Sequence, residues 1–352
     1  MYRNTYVEIN LKNLKYNVET LVNRYKDYKY YFGVVKADCY GHNDISTVKT
    51  IIDAGCNYLA VATLEEALYI RKEIKDIPIL CLGIIDTKFI PVCIDNNITI
   101  TISNLDYLSH INIKNSYLKV HIKVNTGMNR LGVNNREEFN KMYNLIKKNN
   151  YILEGIYTHI YNVADENDTL KQYNKFEKIT SDIDLKSIPI VHVGASEATE
   201  YYTKRNYANG CRFGISMYGL VDYKGVNFKS TFSLYSEVIQ INEVENGSVG
   251  YNGIYKVNGK EKIAVVPIGY ADGIIRKNTG RYVYINNKSY QIVGNICMDM
   301  LFVKIDDSIK VGDKVEIIKD IEHIKQIANY LDTITYEVIC SIGKRVPRFY
   351  IN

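Results

Sequence analysis

YLAVATLEEALYIRKEIKDIPILCLG, residues 58–83, contains the unit on which the fold turns. An apolar run at 58–63 gives way to LEEALYIRKEI at 64–74, where apolar residues recur at spacings of three and four. A second apolar run, IPILCLG, follows at 77–83. A helical period between two short runs predicts strand, helix, strand. The flanking runs are too short to be spanning helices and too continuous to be strands with one wet face. They suit a parallel sheet covered on both sides.

The same texture extends in both directions. Further short runs are YFGVVKA (31–37), NITITIS (97–103), LKVHIKVN (118–125), ILEGIYTH (152–159), IPIVHVGA (188–195) and YANGCRFGIS (207–216). REEFNKMYNLIKK (136–148) and DTLKQYNKFEKITSDI (168–183) carry the helical spacing. Eight such runs predict an α/β fold, a closed (β/α)8 barrel of the TIM type in preference to an open doubly wound sheet. No Gly-x-Gly-x-x-Gly turn follows the first run, which argues against a dinucleotide fold.

Beyond about residue 228 the runs alternate and are broken by Gly, Asn and Asp: STFSLYSEVIQINEV, KIAVVPIG, RYVYINNKSYQIVG, MLFVKID and DKVEIIKD. One helical stretch, HIKQIANYLDTITYEVICSI (323–342), comes late. The expected organisation is a barrel over 1–228 and a mainly β C-terminal domain over 229–352. The opening residues, up to about residue 10, are candidates to pack with the second domain.

Hydrophobic residues make up 46% of the 352, enough for a large core. The net charge of +5 is small and the lysines are interleaved with acids, so nucleic acid is not an expected partner. No run approaches the ~20 apolar residues of a membrane span, and MYRNTYVEINLKN lacks a secretory apolar core. The seven cysteines are odd in number and widely spaced, with no Cys-x-x-Cys, and the six histidines show no metal-ligand spacing. A cytoplasmic enzyme with reduced thiols and no metal is expected.

Barrel enzymes place their chemistry at the C-terminal ends of the strands, with phosphate near strands seven and eight. Applied here, that rule collects Lys36, Lys123, Arg130, His159, Ser196, Arg212 and Gly214 on one rim. Singly, each reads as a solvated or satisfied polar group, but their convergence favours a site. A lysine opposite a phosphate-binding region suggests a Schiff base with pyridoxal phosphate. An exposed amine of pKa ~10.4 is a poor nucleophile at neutral pH, so partial burial would help.

VEINLKNLKYN (7–17), VVKADCYGH (34–42), KVNTGMNRLG (123–132), CRFGISMYG (211–219), GYNGIY (250–255), PIGYADG (267–273), GNICMDM (294–300) and RVPRFY (345–350) follow one another along nearly the whole chain. In this order they resemble the alanine racemase family of fold-type III pyridoxal-phosphate enzymes. The resemblance implies a barrel followed by a β domain, and interconversion of L- and D-alanine that supplies D-alanine for peptidoglycan. Serine or broader amino-acid racemisation is the alternative. It further implies a homodimer with shared sites, in which Lys36 binds the cofactor and acts as one base. Tyr251 of the second subunit acts as the other. Arg212 would meet the pyridine nitrogen with His159 beside it. Arg130 would contact the phenolic oxygen and the substrate, held by Lys123, which is carbamylated in some relatives. Tyr40, Ser196, Gly214 and Ile215 match phosphate-binding positions. Tyr270 and Met298 of the partner match the substrate entrance and carboxylate site.

Four positions depart from the usual pattern. Asn125 stands for Asp, Ala195 for Asn, Asp38 for Asn, and Lys344 for a phosphate-binding Tyr. Lys344 is therefore the candidate for substrate specificity.

Overall fold

In the computed structural model, which describes residues 2–43, 45–113 and 117–352, eight parallel strands form one sheet. They are Tyr30–Val34, Tyr58–Val61, Ile79–Cys81, Ile98–Ile102, Lys119–Lys123, Ile152–Tyr157, Ile190–His192 and Gly210–Phe213. Each overlaps a run read from the sequence. The strands pair in chain order, and the eighth returns to the first, with Tyr30 opposite Gly210. The seam between the seventh and eighth closes through one parallel bridge, Ala195 to Arg212, and an Asn209 N–H to Val191 O bond of 3.0 Å. The sheet is thus a nearly closed barrel.

Local chemistry explains the elements. Ile98–Ile102 reads ITITI and is buried at every residue, as β-branched side chains in a covered parallel sheet should be. Thr63 and Glu66 form a reciprocal capping box at the start of Leu64–Glu73. Asn135 caps Arg136–Lys148, which matches its predicted bounds. The next helix runs Glu166–Ile179, starting earlier than expected because Asp165 caps it. It ends where the Thr180 hydroxyl bonds back to Phe176 O at 2.9 Å, so 180–183 fall outside.

The C-terminal region forms a nine-stranded sheet from Phe232–Glu237, Gln240–Glu245, Lys260–Val266, Tyr282–Ile285, Lys288–Val293, Leu301–Ile305, Lys314–Ile318 and Arg348–Ile351, with the N-terminal strand Tyr6–Asn10. That first strand lies between Phe232–Glu237, antiparallel, and Arg348–Ile351, parallel. The helical stretch expected over 323–342 is two helices, Ile321–Leu331 and Thr335–Cys340. Asp332, at φ 59 and ψ 53, ends the first in the left-handed conformation that a short polar side chain tolerates. Among the described residues no helix is long and apolar enough to cross a membrane.

Candidate active site

The first barrel strand stops at Val34, two residues before Lys36, and Lys36 opens a left-handed turn. Ala37, Asp38, Cys39 and Tyr40 have φ of 52, 52, 53 and 53°, followed by Gly41 at 78°. Each non-glycine residue there costs about 1–2 kcal/mol, so the surroundings must hold the turn in place. Ala37 N–H donates to Glu66 Oε1 at 2.7 Å, and Gly41 N–H to Ala37 O at 3.0 Å. Fully buried His42 bonds Thr231 Oγ1 through Nε2 at 2.7 Å. From the C-terminal strand, Arg348 Nε donates to Gly41 O at 3.3 Å and Tyr350 OH to His42 O at 3.1 Å. Burial, then the Arg130 guanidinium, lowers the Lys36 amine, while Glu66 and Cys340 oppose the shift. A lowered amine is more often the free base, which a nucleophile must be.

Around it lies a bowl of positive charge. Buried Arg212 donates to His192 Nδ1 at 2.7 Å, to His192 O at 2.8 Å and to Thr158 O at 2.8 Å, with His159 Nδ1 at 3.5 Å. Buried Lys123 stands 4.7 Å over the Tyr157 ring. Lys123, exposed Arg130 and His159 line one small cavity with Thr126 and Met128. Burial, then Arg212 and Arg130, hold the Lys123 amine well below its ordinary value. Burial, then Arg212, Lys123, Arg130 and Lys36, push His159 down to about 2, so its ring is neutral. Among the described residues no carboxylate forms an ion pair with Lys36, Lys123, Arg130 or Arg212. A guanidinium as deeply buried as Arg212 is costly without an anion in contact with it.

Tyr40, Ser196 and Gly214 form the rim's other half. Gly214 N–H donates to Ser196 Oγ at 3.1 Å, and Ser196 Oγ lies 3.0 Å from Ser216 Oγ. A Cβ on Gly214 would stand 3.1 Å from Tyr40 Oη, so the missing side chain keeps this hydroxyl-lined hollow open. Ile215 follows, half-buried. Ala195 offers no side-chain cap to the helix after it. The hollow fits a phosphate, the donor-only Arg212 fits a pyridine nitrogen, and Lys36 fits a carbonyl carbon. Together they are the groups that could hold pyridoxal 5'-phosphate.

The C-terminal candidates are not brought to Lys36 within one chain. Tyr251, Tyr270 and Met298 are 65, 43 and 52% exposed. Among the described residues none of them has a hydrogen bond, ion pair or ring contact to the barrel. Tyr251 stands on a tight loop whose carbonyl accepts from Asn295 Nδ2 at 2.9 Å. The Tyr270 and Met298 loops are joined by Tyr270 N–H to Cys297 O and Ala271 N–H to Met298 O, both 3.0 Å. Fully buried Asp272 anchors them, accepting from Arg3 at 2.8 and 3.0 Å with Arg345 at 3.4 Å.

Two departures meet in space. Lys344 Nζ lies 3.3 Å from Asp38 Oδ2, with the lysine side chain 85% exposed. Asn125 holds its loop through its amide, accepting from Gly127 N–H at 3.1 Å and Asn129 N–H at 3.0 Å. Sequence reasoning missed Glu66, Asp272 and Ser216. The Thr-x-x-Glu capping signature marks Glu66, and Asp272 and Ser216 lie inside quoted motifs, so a signal was present for each.

Residues 9–222 match the family model for the alanine racemase N-terminal domain, and residues 231–350 that for the C-terminal domain. Alanine racemase from Anoxybacillus flavithermus is 35% identical, over 99% of this chain and 95% of its own length. Alanine racemase 1 of Bacillus subtilis is also 35% identical, over 99% and 94%. The crystal structure of alanine racemase from Bacillus anthracis with bound L-Ala-P superposes with a TM-score of 0.93 at 32% identity, covering 100% of this chain and 96% of that one. The crystal structure of alanine racemase from E. faecalis gives 0.94 at 30% identity, covering 99% of each. With both domains matched, in order and over nearly full length, this chain belongs to the alanine racemase family of fold-type III pyridoxal-phosphate racemases.

Proposed function

We propose that this chain interconverts L- and D-alanine with Lys36 and Tyr251 as the two proton-transferring groups, each site being shared between the subunits of a homodimer. Racemisation of alanine is the activity of the family to which the chain belongs. The observation that carries the residue assignment is the Lys36 amine, lowered by burial and facing a bowl of cations with no paired carboxylate. Bound pyridoxal phosphate supplies the electron sink that makes an amino acid's α-proton removable. Tyr40, Ser196 and Gly214 N–H would hold its phosphate, Arg212 its ring nitrogen and Arg130 its phenolic oxygen. Arg212 cannot readily give up a proton, so it donates a hydrogen bond and leaves that nitrogen unprotonated. Lys36 takes or returns the proton on one face and Tyr251 on the other, which is what inversion requires. Tyr270 and Met298 guard the entrance. The exposed apolar set of Tyr251, Ile254, Tyr270, Ile275 and Met298 supports a partner covering this face.

Lys123 is the site of a carbamate in this reading. Its lowered pKa favours the neutral amine, whose nitrogen can bond to the carbon of carbon dioxide with loss of one proton. The product would answer the unpaired Arg130 and Arg212. Protein equilibrated with ¹³C-bicarbonate should show a carbamate carbon by NMR that fades as pH falls and the amine protonates. It should be missing from Lys123→Arg. A wild-type spectrum without it rejects the modification.

Alanine is the main substrate, and Lys344 widens the range toward serine. Its ammonium is drawn to Asp38 and solvent, leaving room where a rigid tyrosine ring would crowd the pocket. Purified protein given L-alanine should form D-alanine, and failure to do so overturns the function. Lys344→Tyr should lower the serine-to-alanine ratio of kcat/KM by about 3–10-fold, within the range one hydroxyl commands in an apolar pocket. An unchanged ratio removes Lys344 as the determinant.

A further inference from the structure

Behind Arg212 the barrel interior holds a row of polar side chains that two-base chemistry leaves unused. Arg212 Nη1 lies 2.7 Å from His192 Nδ1, His192 Nε2 lies 3.0 Å from His121 Nδ1, and His121 Nε2 lies 3.3 Å from Glu154 Oε2. Both histidines are fully buried. One end fixes the direction of the row. A guanidinium only donates, so His192 Nδ1 accepts and its proton sits on Nε2. His121 Nδ1 must then accept, and His121 Nε2–H points at Glu154.

The other end is a carboxylate. Glu154 Oε2 also accepts from Tyr58 OH at 2.5 Å and from Thr99 Oγ1 at 2.8 Å. Burial works upward on this acid, yet the hydrogen bonds from His121, Tyr58 and Thr99 hold it below the ordinary carboxylate range. Burial lowers both imidazoles, keeping them neutral between a cation and an anion.

The backbone has made room for this row. Pairing of Lys119–Lys123 with Ile152–Tyr157 slips at Val120/His121, from Val120 opposite Leu153 to His121 opposite Gly155, so Glu154 is the extra residue of a bulge. A bulge re-aims a side chain, here into the barrel. A Cβ on Gly155 would fall 2.5 to 2.8 Å from ring atoms of His121. The His192 ring is stacked between Phe32, centroids 4.5 Å apart, and Tyr157, 4.6 Å apart.

We propose that Glu154, His121 and His192 are positioning residues, a one-directional hydrogen-bond relay that gives buried Arg212 its counter-charge two rings away and locks its guanidinium plane. This rests on the reading of Arg212 as the ring-nitrogen partner. A carboxylate in direct contact would neutralise Arg212 and occupy the space the cofactor ring needs. Through two neutral imidazoles the charge is balanced while the outward face of the guanidinium stays free to donate. Of the other charged groups near it, Arg130 and Lys36 are cations, and a carbamate on Lys123 would be shared with Arg130, so the acid behind the guanidinium is Glu154.

The test uses holoenzyme labelled with ¹⁵N-histidine, together with Glu154→Gln and Glu154→Asp. NMR should show both rings neutral, protonated at Nε2 and bare at Nδ1, without titration between about pH 6 and 8. Glu154→Gln should lower kcat for L-alanine about 10-fold or more with KM little changed. It should also shift the visible absorption of the bound cofactor, and Glu154→Asp should restore part of both. A proton on His192 Nδ1 overturns the relay. So does a Glu154→Gln protein that melts earlier but keeps the wild-type kcat and spectrum. If that variant does not fold, the wild-type tautomers alone decide. A protonated ring nitrogen seen with ¹⁵N-labelled pyridoxal phosphate would reject Arg212's assignment while leaving the tautomer result intact.

Discussion

Protein carrying Lys36→Ala should lose alanine racemisation by about 10⁴-fold or more, and Tyr251→Phe should be crippled likewise, since each removes a proton-transferring group. Mixed together, the two dead proteins should regain activity. In a two-fold dimer the site built on Lys36 of one chain uses Tyr251 of the other. A mixed dimer then has one site lacking both groups and one site lacking neither. Random exchange of equal amounts makes half the dimers mixed, so recovery should reach about one quarter of wild type. The physical motive is the exposure of Tyr251, 65% open on the C-terminal domain, set against half-buried Lys36 on a turn whose Cys39, Tyr40 and Gly41 are buried. A phenol so exposed in one chain has no reacting group beside it until a partner brings one. Absence of recovery, with subunit exchange shown by differently tagged chains, would mean that Tyr251 is not shared. Borohydride treatment of the wild type should fix the pyridoxyl group on a peptide containing Lys36, and label on another lysine would reject that assignment. The Tyr251 variant should also slow the two directions unequally, because each base serves one enantiomer.

The barrel was legible because its strands are buried on both faces. A run such as ITITI has no wet side to disguise it, and the helices between announce themselves by caps such as Thr63 and Asn135. The site rim was legible for the same reason: strand ends are fixed by the strands. What escaped is set by contacts through space. Nothing in ADCY declares a left-handed turn, since Ala, Cys and Tyr disfavour it and Asp tolerates it only as a single residue; Glu66, Thr231 and Arg348 impose it from elsewhere. Leu-Glu-Gly at 153–155 reads as ordinary strand, and the bulge that turns Glu154 inward exists only in the pairing with His121. Asp38 and Lys344 each looked like an isolated departure, and only the fold makes them a pair. The stop at Asp332 was hidden because apolar spacing continues across it into Thr335–Cys340.

Gly41→Ala should damage the enzyme more than any other small-to-small change in the Lys36 turn. Gly41 sits at φ +78°, where an L side chain costs about 1–2 kcal/mol. Its new Cβ would also stand 2.6 Å from the Ile339 carbonyl oxygen and 3.1 Å from the carbon, backbone atoms that cannot swing aside. Crowding of this kind adds roughly 1–3 kcal/mol, for a total of about 2–5 kcal/mol. Relief requires the turn to lift off the helix Thr335–Cys340, carrying Tyr40 away from Gly214 and Lys36 away from the bowl. The loss should therefore appear as weaker retention of pyridoxal phosphate and a lower kcat/KM at temperatures where the protein is still folded. Gly259→Ala is the control: its φ is +81° and nothing lies within 4 Å of the added carbon, so it carries the backbone strain alone. It should cost about 1–2 kcal/mol and leave cofactor binding and turnover alone. If Gly41→Ala matches Gly259→Ala in melting temperature, cofactor retention and activity, the Lys36 turn is not held by its contact with Ile339, and the account of how this strained turn persists is wrong.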